Sequence, residues 1–196
     1  MAGLKNSEIV IGEGITEEYY FKSIRDVISN RPTPKPLKPY NMDELERAIK
    51  RYAIDGYSKI HCLIDMDNKV STPATMAKYQ RLKLKYDRRL YPKTDCEIRF
   101  YESHPSIELF FNYYFEYSTS LQTNSGLKSW LYQKCGYEVS EKWFKAHSIH
   151  NTLIKNGGCL TRAIANAKSS VRHRPSGSYN YSYTEVGDLI DYLGIK

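Results

Sequence analysis

Glu13 and Glu17 stand four residues apart around Gly14 in the run Val-Ile-Gly-Glu-Gly-Ile-Thr-Glu-Glu-Tyr-Tyr-Phe at 10–21, and a second acidic pair, Asp65 and Asp67, lies in Ile-Asp-Met-Asp-Asn at 64–68. Carboxylates brought to one place repel one another unless a cation lies among them. Their hard oxygens select Mg²⁺ or Mn²⁺ over zinc. The four-residue spacing puts Glu13 and Glu17 on one edge if the turn between them is tight, and Gly12 and Gly14 are expected to permit it through unusual backbone angles. Asp65 and Asp67, two apart on a strand, are expected to point the same way with Met66 opposed. Either motif alone has an ordinary explanation: Asp-Met-Asp-Asn is good turn chemistry, and Glu17 with Glu18 complements a helix dipole. Taken together, in this order, the two motifs favour a metal.

The elements that must position these residues follow from the surrounding pattern. Glu8–Gly12 is short, β-branched and closed by glycine, as a buried strand is. Thr16 is the expected N-cap of a helix whose Tyr20, Phe21, Ile24, Val27 and Ile28 share one face. Residues 31–40 carry Pro32, Pro34, Pro36 and Pro39 and read as a linker, since proline blocks both helix and central strand. Asn41 with Glu44 forms a capping box for a helix that Gly56 stops. Lys59–Asp67 reads as a second strand, 75–90 as a basic helix, Cys96–Tyr101 as a third strand and Ser106–Tyr117 as an aromatic helix. Strands alternating with helices predict an α/β fold, a mostly parallel sheet flanked by helices with ligands at the strands' carboxyl ends. Beyond Ser118 the pattern is helical, with helices expected over Leu127–Cys135, Glu141–Ile154, Leu160–Val171 and Tyr183–Leu193. Residues 1–118 are thus expected to form the α/β core and 119–196 a helical extension packed on it.

The 196 residues suffice for one domain with a sizeable core, and 41% hydrophobic content with mixed charge is that of an ordinary soluble protein. No apolar stretch of about 18 residues is present, so no membrane partner is expected, and the polar start predicts a cytoplasmic protein. Cys62, Cys96, Cys135 and Cys159 form no Cys-x-x-Cys pair, and His147 and His150 lack a third ligand, so none of these predicts a metal site. No phosphate-loop motif is present, so the chain itself is not expected to hydrolyse ATP. A net charge of +7 favours a polyanionic partner. The candidate phosphate contacts are Lys78, Arg81, Lys85, Arg88 and Arg89, beside the second acidic motif, and Arg172 and Arg174 near the carboxyl end; an ordinary solvated face is the alternative.

Residues 12–21 followed by 64–68 resemble the Toprim fold, the metal-binding α/β unit of topoisomerases, primases and several nucleases. The closer resemblance is to the RloB family of prokaryotic Toprim-like proteins, which share an E-G-x-T-E-x-x-Y-F opening, a D-x-D strand end and a later N-P-x-F-E-x-W segment. That segment here reads His104-Pro-Ser-Ile-Glu-Leu-Phe110, where proline and Glu108 match while isoleucine and phenylalanine replace the usual aromatics. The tail, Arg174-Pro-Ser-Gly and then 183–193, is also similar to that of the family. The resemblance implies that Glu13 is a general acid/base or metal ligand, that Asp65 and Asp67 hold a divalent ion, and that Glu17 and Glu108 are candidates for a second metal. It implies a Mg²⁺- or Mn²⁺-dependent nuclease acting on RNA such as tRNA or on DNA, working in anti-phage defence beside a separate ATPase. At 196 residues there is little room for the extra domains of a topoisomerase or primase. The alternative is a non-catalytic module whose acidic edge binds a regulatory ion while its basic faces dock nucleic acid or a partner ATPase.

Overall fold

A computed structural model describes residues 7–118, 120–175 and 177–196. Strand β1 (Glu8–Gly12) buries Ile9, Val10 and Ile11 in succession, the mark of a parallel strand covered on both faces. Its neighbours, both parallel, are β2 (Thr33–Pro36) and β3 (Lys59–Asp65). The proline-rich stretch is therefore not a plain linker. Leu37 donates its N–H to Gly12 O, and by alternation Pro34 and Pro36 turn their missing donors to the open edge, the one place a sheet tolerates them. On the other side β3 pairs in parallel with β5 (Glu97–His104), against which β4 (Arg89–Leu90) and β6 (Tyr183–Thr184) lie antiparallel. The order is β2-β1-β3-β5-β4, so the mostly parallel open sheet expected from the alternation is present.

Successive strand residues feed two cores. Ile9, Ile11, Ile60, Cys62, Ile64, Ile98 and Phe100 pack beneath helices α2 (Met42–Ile54) and α4 (Pro73–Tyr86). Val10, Leu63 and Tyr101 face the opposite layer. That layer holds α1 (Ile15–Ser23), the short α5 (Glu108–Asn112), α6 (Asn124–Cys135), α7 (Glu141–Ala146), α8 (Ile149–Lys155), α9 (Leu160–His173) and α10 (Val186–Leu193). The carboxyl-terminal helices thus share a single apolar cluster with α1 and the sheet. A one-turn helix, α3 (Asp67–Val70), joins β3 to α4.

Several boundaries differ from the sequence expectation, each for a local reason. Gly14, not Thr16, is the N-cap of α1, and Thr16 lies buried inside the helix. The basic helix ends at Tyr86, and Arg89–Leu90 join the sheet instead. The aromatic helix stops at Asn112 because the Tyr113 carbonyl accepts from Asn166 Nδ2 and the Tyr114 carbonyl from Cys159 N–H. The expected 141–154 helix is two: His147 is extended and Ser148 caps a new start at Asn151 N–H. Tyr183 and Thr184 pair with His104 and Ser103 before α10 begins. A methyl group at Gly187 would fall 2.6 Å from Ala167 Cβ, so glycine lets α10 seat directly on α9. Among the described residues no helix is long and apolar enough to cross a membrane.

Candidate active site

The carboxyl ends of β1 and β3 and the start of α5 meet at one place. Glu13, one residue beyond β1, accepts the Asp65 backbone N–H at 2.9 Å and the Lys69 ammonium at 2.5 Å. Lys69, buried on α3, also reaches the Asp65 carbonyl and lies over the Tyr40 ring, 5.0 Å from its centre. Glu17, in the first turn of α1, accepts the Gly14 N–H at 3.1 Å and so caps the helix. Asp65, the last residue of β3, accepts the Ile107 N–H at 3.1 Å. Glu108 opens α5 and receives Ser106 Oγ at 2.6 Å and the Tyr137 hydroxyl at 3.2 Å, with Lys128 Nζ 3.8 Å away. A cavity of about 180 Å³ is walled by Glu13, Glu17, Asp65 and Glu108, together with Thr16 and Lys128.

Glycine is needed here for space rather than for unusual angles. Neither Gly12 nor Gly14 has a positive φ, and Gly14 is extended at φ −149°. A methyl group at Gly12, however, would sit 2.5 Å from Glu17 Cβ, so only glycine lets Glu17 lie against the end of β1.

Two sequence expectations fare differently. Met66 takes helical angles (φ −96°, ψ −10°), which breaks the strand alternation, so Asp67 opens α3 instead of joining Asp65. It accepts from Asn124 Nδ2 at 2.9 Å and is linked to the pocket through Asn124 and Ser106, whose hydroxyl lies 3.0 Å from Asn124 Oδ1. Glu108, which the resemblance offered for a second metal, is by contrast buried and faces the cavity.

Four carboxylates outnumber the two lysines around them. Burial pushes the Glu13 carboxyl upward against the pull of Lys69. Burial, reinforced by Glu108 and Glu13, raises Glu17 to about 8. Burial and the charges of Glu17, Glu13 and Glu108 hold Asp65 well above the usual carboxylate range. This donor set suits a hard divalent cation. Among the described residues no three acidic, histidine or cysteine side chains are already placed as a ligand cage, because their oxygens are turned to backbone N–H groups, Lys69, Ser106 and Tyr137. The fit is thus one of donor chemistry, with side-chain rotation needed to complete it.

The basic candidates separate into two kinds. Arg81, Arg88, Arg89 and Arg172 are exposed. Lys78 and Lys85 are exposed but paired, with Asp43 at 3.1 Å and Glu46 at 2.8 Å. Arg174 faces inward, 3.2 Å from Glu102 and stacked over the Tyr183 ring at 3.8 Å. Glu102 also receives Lys83, Tyr79 and Tyr183. Burial alone would raise it, but Lys83 and the two hydroxyls outweigh that and hold it at about 2. His147 stacks on Trp143 and His150 Nδ1 lies 3.1 Å from the Tyr114 hydroxyl, both in structural roles.

A family model described as RloB-like protein matches residues 9–193. The chain belongs to the RloB-like family. No curated protein and no solved structure matches it. The matched span runs from β1 through α10 and includes every wall of the carboxylate pocket. In this RloB-like chain the sequence motifs did not point to Tyr40, Lys69, Asn124, Lys128 or Tyr137. Tyr40 ends the proline stretch, Lys69 follows the second acidic motif by two residues, and the other three come from the helical region; no local spacing ties any of them to Glu13. A cavity of about 580 Å³, lined by Glu8, Arg31, Lys59 and Tyr192, lies at the amino ends of the parallel strands. Open parallel sheets carry their ligands at the other end, where the carboxylates are.

Proposed function

We propose that this RloB-like protein is a Mg²⁺- or Mn²⁺-dependent phosphodiesterase of the Toprim kind, a nuclease that cuts RNA such as tRNA or DNA as the effector of a prokaryotic anti-phage system. The observation that carries this reading is the convergence of Glu13, Glu17, Asp65 and Glu108, from three separate segments, on one cavity with too few cations to balance them. A bound divalent metal supplies charge for the attacking and leaving oxygens of an in-line displacement. Glu13, Glu17, Asp65 and Glu108 would hold it. Lys69 keeps Glu13 seated against the end of β3. Lys128, part-exposed beside Glu108, is placed to meet a phosphate, and Asn124 holds Asp67 alongside. The exposed Arg81, Arg88, Arg89 and Arg172 suit salt-sensitive backbone contacts that are blind to sequence. The separate ATPase partner rests on the family resemblance alone.

The second reading, a module that binds a regulatory ion without cutting, is favoured by one observation: the carboxylates are not already arranged as a ligand cage. The test is a cleavage assay on labelled tRNA, single-stranded RNA and duplex DNA in Mg²⁺, Mn²⁺ or EDTA, beside Glu13→Ala. Metal-dependent cutting that the variant loses is expected. Metal binding by calorimetry with no cutting of any substrate would select the regulatory module.

A further inference from the structure

Glu13 is shared by two cavities. Behind it, away from the other carboxylates, lies a space of about 310 Å³ where the end of the proline segment, the start of α2, the one-turn α3 and the first turn of α4 meet. Tyr40, Asn41, Met42, Asn68, Lys69 and Thr75 wall it. Its charges cancel in pairs: Lys69 is taken by Glu13, and Lys78 at the rim by Asp43, 3.1 Å away. A phosphate would find no free cation there and would face two carboxylates. What remains is an uncharged lining: the amides of Asn41 and Asn68 and the Thr75 hydroxyl, which both donate and accept, and the Met42 thioether, which packs well on aromatic rings. Tyr40 adds a second observation. Its ring walls the cavity and its buried hydroxyl lies beside Glu13.

We propose that this cavity receives the uncharged base of the nucleotide next to the phosphate held at the carboxylate pocket, so that the substrate is a single strand or a nucleotide turned out of a helix. The volume is at the low end of small-ligand sites and suits one base, not a duplex. Side-chain amides read the edges of unpaired bases, which a paired helix hides. A base seated there places its adjoining phosphate over Glu13, the wall common to both cavities. The catalytic role of the cavity rests on the phosphodiesterase reading; its capacity to hold a base does not.

The test separates the two. Fluorescence anisotropy in Ca²⁺, a hard cation that takes oxygen ligands in place of Mg²⁺, measures binding of a labelled 12-nucleotide single strand, the same strand carrying one abasic position in turn, and the blunt duplex. Wild type is expected to prefer the single strand to the duplex by about tenfold or more, and to lose most of that preference when the abasic site falls at one position. Thr75→Trp, which fills the cavity from the part-exposed first turn of α4, is expected to weaken single-strand binding about tenfold while leaving duplex binding unchanged. Asn68→Ala, at an exposed position, is expected to produce a smaller loss and serves if the tryptophan variant does not fold. Equal wild-type affinity for duplex and single strand, or abasic strands that bind alike at every position, overturns the base cavity. So does undiminished metal-dependent cutting by Thr75→Trp, which leaves the nuclease reading standing. Base-dependent binding without any cutting supports the cavity and removes the nuclease.

Discussion

Glu17 and Glu102 are both glutamates buried to within 3% of full enclosure, near the same end of the same sheet, and they carry opposite burdens. Glu102 meets Lys83, Arg174 and the hydroxyls of Tyr79 and Tyr183, and is held at about 2. Glu17 accepts the Gly14 N–H among three further carboxylates, and is driven to about 8. The fold supplies the counter-charge of the first from its own chain and places no cation against the second. Burial of an acid therefore says little about its role until its partners are named.

Substitutions test that contrast, and the largest effect is expected in the pocket. Asp65→Asn should lower metal-dependent cleavage by about 10³-fold or more with the fold intact, because it removes a hard ligand oxygen aimed into the cavity. A variant that cuts within tenfold of wild type would make the pocket as structural as the Glu102 cluster. Glu102→Gln should leave cleavage chemistry alone and destabilise the fold. Stranding Arg174 and the partly exposed Lys83 is expected to cost about 3 kcal/mol in urea unfolding, the lower end for a broken buried pair since Lys83 is screened by solvent. A loss under about 1 kcal/mol would place Glu102 among ordinary surface pairs.

External charge should matter in one region only. Mg²⁺ at about 100 times its dissociation constant should stabilise wild type by about 2.7 kcal/mol and have no such effect on Glu17→Gln. Equal stabilisation of both proteins would move the ion away from Glu17. Glycine at the mouth of the pocket sharpens the point. Gly12→Ala must displace Glu17 and should destabilise by about 1–3 kcal/mol, whereas Gly14→Ala meets only the tip of the Glu17 side chain at 3.8 Å and should lose only the N-cap preference, under about 1 kcal/mol. Similar losses at both positions would contradict the close approach of Glu17 to β1.

The smallest effect is a pH dependence within the Glu102 region. Burial and the neighbouring Glu102 charge raise Glu185 from 4.5 to about 7. Between those values the folded state binds more protons than the unfolded state, so Glu185 makes stability fall as pH rises, and Glu185→Gln should flatten that decline by about 1 kcal/mol or more between pH 5 and pH 8. Glu102 acts with the opposite sign: its lowered value adds stability above 4.5 that is lost as pH falls toward about 2. Unfolding midpoints across the pH range would show both slopes in wild type and, in Glu185→Gln, the acid slope unchanged with a shallower fall above it, the remainder of that fall coming from the raised Glu13, Glu17 and Asp65.

Elements governed by neighbours in sequence were legible without the structure. β1 and β3 are continuous apolar runs, and the Asn41 side chain caps α2 through the Glu44 N–H as its spacing predicted. Where a distant group intervenes, the pattern misled. The aromatic helix was cut short by Cys159 and Asn166, more than forty residues on, and β2 was hidden by prolines that only an open sheet edge excuses.

The site divides along the same line. By itself the sequence determined the supply of carboxylates, the strand ends that carry Glu13 and Asp65, and the glycine at position 12, since these depend on apolar periodicity and side-chain size over a few residues. Tertiary structure alone decided which candidates share the pocket: it kept Glu108, already a candidate by resemblance, turned Asp67 toward Asn124, seated Lys69 on Glu13 and sent Arg174 inward to Glu102. The physical reason is that a charge is stabilised or penalised by whatever lies within a few ångströms, and around Glu13 and Glu102 those neighbours are drawn from residues 19 to 81 positions away along the chain.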